Sequence, residues 1–186
     1  MSSFNSLRAA GLFAVCLIVS TPALAMEWTV NSEKSSLSFE TTQNGQPLTG
    51  TFGTWDAAIS LDPNTPETGS IEATISTGSA DTGNGQINGT LTSDAWFNSS
   101  AYPDAVFSSD EIAATTGNRY EARGTLTIRG ISVPLTLPFT LSVEGDEAHA
   151  TAQVALMRSS FEMGQDISAD TVPDKVAVTL DLWATR

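Results

Sequence analysis

The chain has 186 residues, 40% of them hydrophobic, and sets 21 acidic against 8 basic side chains for a formal net charge of −13. So acidic a chain argues against nucleic acid and anionic membrane surfaces as partners and favours solubility. The single cysteine, Cys16, lies in an N-terminal apolar run, so the body of the chain has neither thiol chemistry, nor thiolate metal sites, nor a disulfide.

Residues 1–25 read as a cleaved signal peptide. Arg8 supplies the positive start, the run AAGLFAVCLIVS (9–20) is the apolar core, and Ala23 and Ala25 fit a small-residue cleavage site. Cys16 follows Val15, which does not suit a lipoprotein signal. Cleavage removes only Arg8 of the charged residues and leaves one domain, 26–186. The expected location is the periplasm, with no stable membrane insertion of the mature chain.

Beyond residue 26 the dominant period is two. Leu37 and Phe39 alternate with polar neighbours, as do Ile71, Ala73 and Ile75. Leu126 and Ile128 lead into Val133, Leu135, Leu137, Phe139, Leu141 and Val143 on one parity. Ala148, Ala150, Ala152, Val154 and Leu156 follow, and Val176, Val178, Leu180 and Leu182 close the chain. These are half-buried antiparallel strands, dry on one face and wet on the other. Turn residues separate them at QNGQP (43–47), DPNTPETG (62–69), TTGN (115–118) and EGDE (144–147). Pro134 and Pro138 predict an edge, a bend or a break within 132–143. One short helix is expected near NGTLTSDAWF (88–97), with its Ser and Asp able to cap a first turn. About eight such strands form either an antiparallel barrel or a two-sheet sandwich.

Few residues offer chemistry. His149, the one histidine, shares the polar parity of Thr151 and Gln153, and a metal site or a Ser-His-Asp triad lacks its partners. Asp81-Thr82-Gly83 copies the aspartic-protease tripeptide once, whereas that chemistry needs two carboxylates sharing a proton. The scattered acids show no calcium-loop frame. What stands out is DAWFNSSAYPDAVFSS (94–109), which gathers aromatics in a chain with few of them. They either pack a core or line a space, since an eight-stranded barrel can hold one small ligand.

The order and spacing of several motifs match a known family. They are W-x-V-x-x-E-x-S-x-L-x-F from Trp28, G-x-F-x-x-W-x-x-x-I from Gly50, S-A-D-T-G (79–83) and L-x-S-x-x-W-F-x-x-x-x-Y-P-x-x-x-F-x-S (Leu91 to Ser109). G-x-L-T-I-R-G-I-S-x-P-L-T-L (124–137), R-S-S-F (158–161) and D-K-V-A-V-T-L (174–180) complete the set. On these the chain resembles the YceI-like family of exported lipid- or polyisoprenoid-binding proteins. The resemblance implies an all-β fold, an extended antiparallel eight-stranded lipocalin-like barrel with one or two short helical turns. It also implies a non-catalytic carrier with no cofactor beyond a bound isoprenoid or fatty-chain lipid, an amphiphilic lipid being its partner; a homodimer is left open. The chain departs from the family pattern at Ile87 and Asn88, where a basic-acidic pair is common, at Val133, and at Ser160 and Glu162, which replace Asp and Gly.

On this reading the tail of the ligand is expected among Phe39, Phe52, Leu91, Trp96, Phe97, Phe107, Leu126, Ile128, Met157 and Phe161. Arg158, at a strand end, is the expected head-group contact, its ordinary alternative being a surface ion pair. Two other readings stay open: a hydrolase using Asp81, and a carbohydrate-binding or adhesive sandwich with Trp28, Trp55 and Trp183 as an exposed platform.

Overall fold

A computed structural model describes residues 26–186; the proposed signal peptide lies outside the described residues. Eleven strands and one α-helix follow in order: β1 (Glu27–Val30), β2 (Ser36–Gln43), β3 (Gln46–Phe52), β4 (Trp55–Ser60), β5 (Ser70–Ser76), β6 (Ala80–Asp81), α1 (Gly85–Thr92), β7 (Asp104–Ala114), β8 (Arg119–Ile128), β9 (Ile131–Glu144), β10 (Glu147–Met157) and β11 (Lys175–Thr185). Every pairing is antiparallel. Eight strands close a ring in the order β1-β4-β5-β7-β8-β9-β10-β11, and β11 pairs back to β1 through Thr29–Thr185 and Val30–Ala184. The fold is therefore a closed barrel rather than a sandwich. The first half of β11 pairs with β2 instead, and β2-β3-β6 extends the wall there.

The helix starts earlier than the sequence reading placed it. The Asn84 side chain accepts from the Gln86 and Ile87 N–H groups and so caps the first turn, while Ser93 closes the helix rather than opening it. Trp96 and Phe97 lie in the turns that follow, and Leu91 O accepts from the Phe97 N–H. The fully buried Thr77 fixes the next stretch: its hydroxyl lies 2.9 Å from both the Ser99 hydroxyl and the Tyr102 carbonyl. Gly50 sits opposite Phe39 on the paired strand, and a Cβ there would come within 2.3 Å of the Phe39 ring. Only glycine lets that ring lie inward across β3.

The prolines of β9 act differently from the expected break. β9 is one continuous strand, bonded to β8 along residues 131–140, but its ladder to β10 covers only 139–144. Leu141 N–H donates to Asn118 O on the β8 side, so odd-numbered amides of β9 face β8 and even-numbered ones face β10. Pro134 and Pro138 are even-numbered. Each removes a donor that would have bonded β10, so the ladder stops at Phe139 and does not resume. The barrel wall is thus unzipped between residues 131–138 of β9 and 153–157 of β10.

Amide hydrogen exchange checks this arrangement. The Ser132 and Thr136 amides are expected to exchange at least about tenfold faster than those of Thr140 and Ser142, which lie in the zipped part of the same strand. Equal protection would contradict the unzipped seam.

An apolar cavity and its arginine clasp

The inward parity of every ring strand faces a cavity of about 300 Å³. It exists because the wall side chains are short. Ala57, Ala73, Ala105, Ala148, Ala150 and Ala152 all line it, three of them in succession on β10. Val176, Val178 and Leu180 point inward and are still only half-buried, since nothing fills the space in front of them. Elsewhere the barrel is packed solid: Ile112, Tyr120 and Ala122 are buried without bordering the cavity, and Tyr120 stacks on Phe139 at 5.4 Å.

Of the residues expected on the ligand tail, Phe39, Phe52, Leu91, Trp96, Phe97, Phe107, Leu126, Ile128 and Phe161 all border this one space. Phe39, Phe52 and Phe97 form an aromatic row with centroid separations of 5.5 and 5.9 Å. Trp96, Phe97 and Phe107 from the aromatic-rich stretch share one apolar chamber. Met157 does not belong with them. It is 45% exposed on the outer face, because strand alternation puts it on the parity of His149 while Leu156 points in. The sequence pattern already held that answer. Trp28 and Trp55, read as members of an outward platform, face the cavity, and Trp28 Nε1 donates to Leu61 O at 2.8 Å. Trp183 is on the outside, stacked on His149 at 4.1 Å, whose Nε2 lies 2.9 Å from Asp181 Oδ1. The three tryptophans lie on opposite faces of the wall and form no platform.

Arg158 is neither a surface ion pair nor a free head-group contact. It is 5% exposed, and all five of its N–H donors are committed to backbone carbonyls. Nε donates to Pro173 O, Nη1 to Met163 O and Gly164 O at 2.7 and 2.6 Å, and Nη2 to Ile167 O and Val172 O at 2.8 and 3.1 Å. The guanidinium clasps the loop between β10 and β11 from within, with Trp96 beside it at 5.8 Å. Gly164 has φ +59°, and a Cβ there would meet both the Trp96 ring and Arg158 Nη1 at about 3 Å; its N–H donates to Ala95 O, which ties the loop to the aromatic segment. Asp174 secures the other end by accepting from Ser159 N–H and Oγ, each at 2.8 Å. Those two bonds hold its carboxyl below the ordinary 3.8. A depressed folded-state pKa makes this clip fully present above the ordinary value and progressively lost as acid titrates the folded carboxylate.

Asp81 is exposed and accepts from Gly83 N–H and Asn88 Nδ2, both at 2.8 Å, which lower its pKa in that order. This is a turn carboxylate kept ionised, the reverse of the shared-proton pair that acid proteolysis needs. Asn88, one of the departures from the family pattern, also accepts from Thr82 N–H and hydroxyl and so holds that turn. Glu162 occupies a left-handed position at φ +56°, where the family's glycine is the unstrained choice. Among the described residues, no group of three or more His, Cys, Asp or Glu side chains could hold a metal, and no helix is long and apolar enough to cross a membrane.

A closed antiparallel barrel around an apolar chamber defines a lipocalin-like architecture. Residues 28–184 match the family model of the YceI-like domain, and the chain belongs to that family. It is 31% identical over 140 residues to a UPF0312 protein of Pectobacterium carotovorum, covering 73% of this chain and 72% of that one. Among solved structures it resembles BcnA of Burkholderia cenocepacia, with a TM-score of 0.80 and 32% identity over 84% of this chain and 99% of that one. A polyisoprenoid-binding domain from Saccharophagus degradans, implicated in plant cell wall breakdown, shares the fold at a TM-score of 0.67 and 13% identity, covering 88% of this chain and 99% of that domain.

The clasp yields a sharp expectation. Arg158→Lys supplies at most three donors where five acceptors wait, so it is expected to lose at least about 3 kcal/mol in urea unfolding, nearly as much as Arg158→Ala. A lysine variant of wild-type stability would contradict the clasp.

Proposed function

We propose that this protein is a periplasmic, non-catalytic carrier that holds an isoprenoid or other long-chain lipid inside the barrel. The observation that carries the proposal is the apolar chamber of about 300 Å³ in a wall of inward alanines and aromatics. Membership of the family and the kinship of fold with a polyisoprenoid-binding domain support it.

The energetics favour a long apolar guest. Each buried CH₂ contributes roughly 0.8 kcal/mol, so one five-carbon isoprene unit contributes on the order of 4 kcal/mol. Real affinities level off near about −18 to −21 kcal/mol, so beyond a few units chain length is set by the room available and not by affinity. The guest also replaces missing core. At about 24 cal/mol per Å³ of void, 300 Å³ left dry forgoes on the order of 7 kcal/mol, comparable to the whole stability of a small domain.

The loaded form is therefore expected to be the more stable one. At a hundredfold excess of ligand over Kd, stabilisation of about 2.7 kcal/mol corresponds to a rise of roughly 5–10 °C in Tm. Scanning calorimetry of protein delipidated in organic solvent, then titrated with a long-chain polyprenol, checks this. An unchanged melt across the titration would count against an interior site.

A further inference from the structure

A guest held inside a closed barrel needs a way in, and the wall is unpaired along the β9-β10 seam. Residues 131–138 of β9 and 153–157 of β10 carry no ladder between them. Widening this seam breaks no ladder bond, whereas parting β9 from β8 breaks bonds along residues 131–140. On the inside, Leu135 and Leu137 of one lip and Val154 and Leu156 of the other border the chamber. On the outside, Pro134 and Pro138 of one lip and Ala155 and Met157 of the other are exposed. Neither 131–138 nor 153–157 contains a charged residue, in a chain of net charge −13. A hydrocarbon chain passing between the lips therefore meets no ion that it would have to desolvate.

The seam is fastened at both ends. At one end the ladder begins with the Phe139–Ala152 pair. At the other, the β8-β9 turn is Arg129-Gly130, and Arg129 Nη1 donates to the carbonyl of Glu162, just past the short helical turn 158–161 that follows β10. That bond spans the mouth of the seam from one lip to the other. It is held at a cost. Arg129 and Glu162 both sit in the left-handed region, at φ +55° and +56°, where residues other than glycine are strained. Arg129 Nε is buried without a partner. Trp96 stands beside the fastening, bordering both the chamber and the surface hollow that Arg129 and Glu162 line. We propose that the seam between β9 and β10 is the gate through which the guest enters and leaves, and that Arg129 is its latch. This rests on the reading of the barrel as a lipid carrier. Arg158 fixes the loop that carries Glu162, so the lip that moves is the β8-β9 hairpin, hinged at the Phe139–Ala152 pair.

The test bridges the seam. Thr136→Cys and Ala155→Cys, which the register of the zipped part places opposite each other, are introduced into the full chain together with Cys16→Ser and joined by a reducible bis-methanethiosulfonate. Thr140→Cys with Thr151→Cys, joined the same way across the zipped part, is the control. The probe is a long-chain polyene alcohol, its binding and release followed by energy transfer from tryptophan in stopped flow. The bridge across the seam is expected to slow binding and release together by at least about tenfold and to leave Kd within about threefold, because a gate acts on the barrier and not on the equilibrium. Reducing the bridge is expected to restore wild-type rates, and the control bridge to leave them unchanged. Arg129→Met is expected to speed both steps by at least about threefold at the same Kd. Wild-type rates in the bridged protein, equal slowing by both bridges, or a change in Kd in place of the rates would overturn the gate and leave the carrier reading intact. Unchanged rates in Arg129→Met would overturn the latch. Failure of the unbridged protein to bind the probe would overturn the carrier reading and this inference with it.

Discussion

The mismatch between the girth of the barrel and the size of the side chains that face into it governs everything else in this protein. Eight strands closed in a ring fix the interior width. The inward positions of β10 are Ala148, Ala150 and Ala152, and alanines on β4, β5 and β7 face the same space. Their methyl groups stop short of the centre, so the ladder encloses a chamber and not a core. The Ile112, Tyr120 and Ala122 cluster shows the alternative that the chain builds where it needs solidity. The absence of thiols beyond Cys16 sharpens the constraint, because backbone pairing and that packed cluster hold the barrel together without cross-links.

The same constraint explains the treatment of charge. A cation facing an apolar chamber would be costly if left unpaired, and Arg158 is instead saturated by carbonyls of a loop that has no regular secondary structure to satisfy them. One side chain thus answers two needs, its own desolvation and the loop's carbonyls, of which Gly164 O alone also accepts from a loop amide, that of Ile167. The consequence for function is that the cavity wall carries no available charge. The other polar side chains of the lining, Thr41, Gln43, Thr77 and Thr90, are neutral.

Much of this was legible in the sequence. Period-two alternation named the inward faces of β2, β5, β8, β9, β10 and β11, and nine of the expected tail contacts border one cavity. Met157 departs from that pattern: its hydrophobicity suits a tail contact, but its parity with His149 points it outward. Pro134 and Pro138 announced a disturbance correctly, but its nature depends on which way their missing N–H groups would point, and that is fixed only by the register with β8. Arg158 was the least legible residue. Its five acceptors come from residues 163–173, backbone groups that leave no trace in the side-chain pattern. Trp28 and Trp55 were ambiguous for a related reason, since a short strand next to a turn gives too few alternations to fix a face.

The central claim is that the chamber holds a lipid in the cell. Native mass spectrometry of the protein purified from its native host, followed by solvent extraction of the bound material, tests it most directly. The account predicts a complex heavier than the bare chain by one defined mass, released on extraction as an apolar molecule of that mass. Repeated recovery of the bare chain alone, from gentle preparations at high yield, would contradict it.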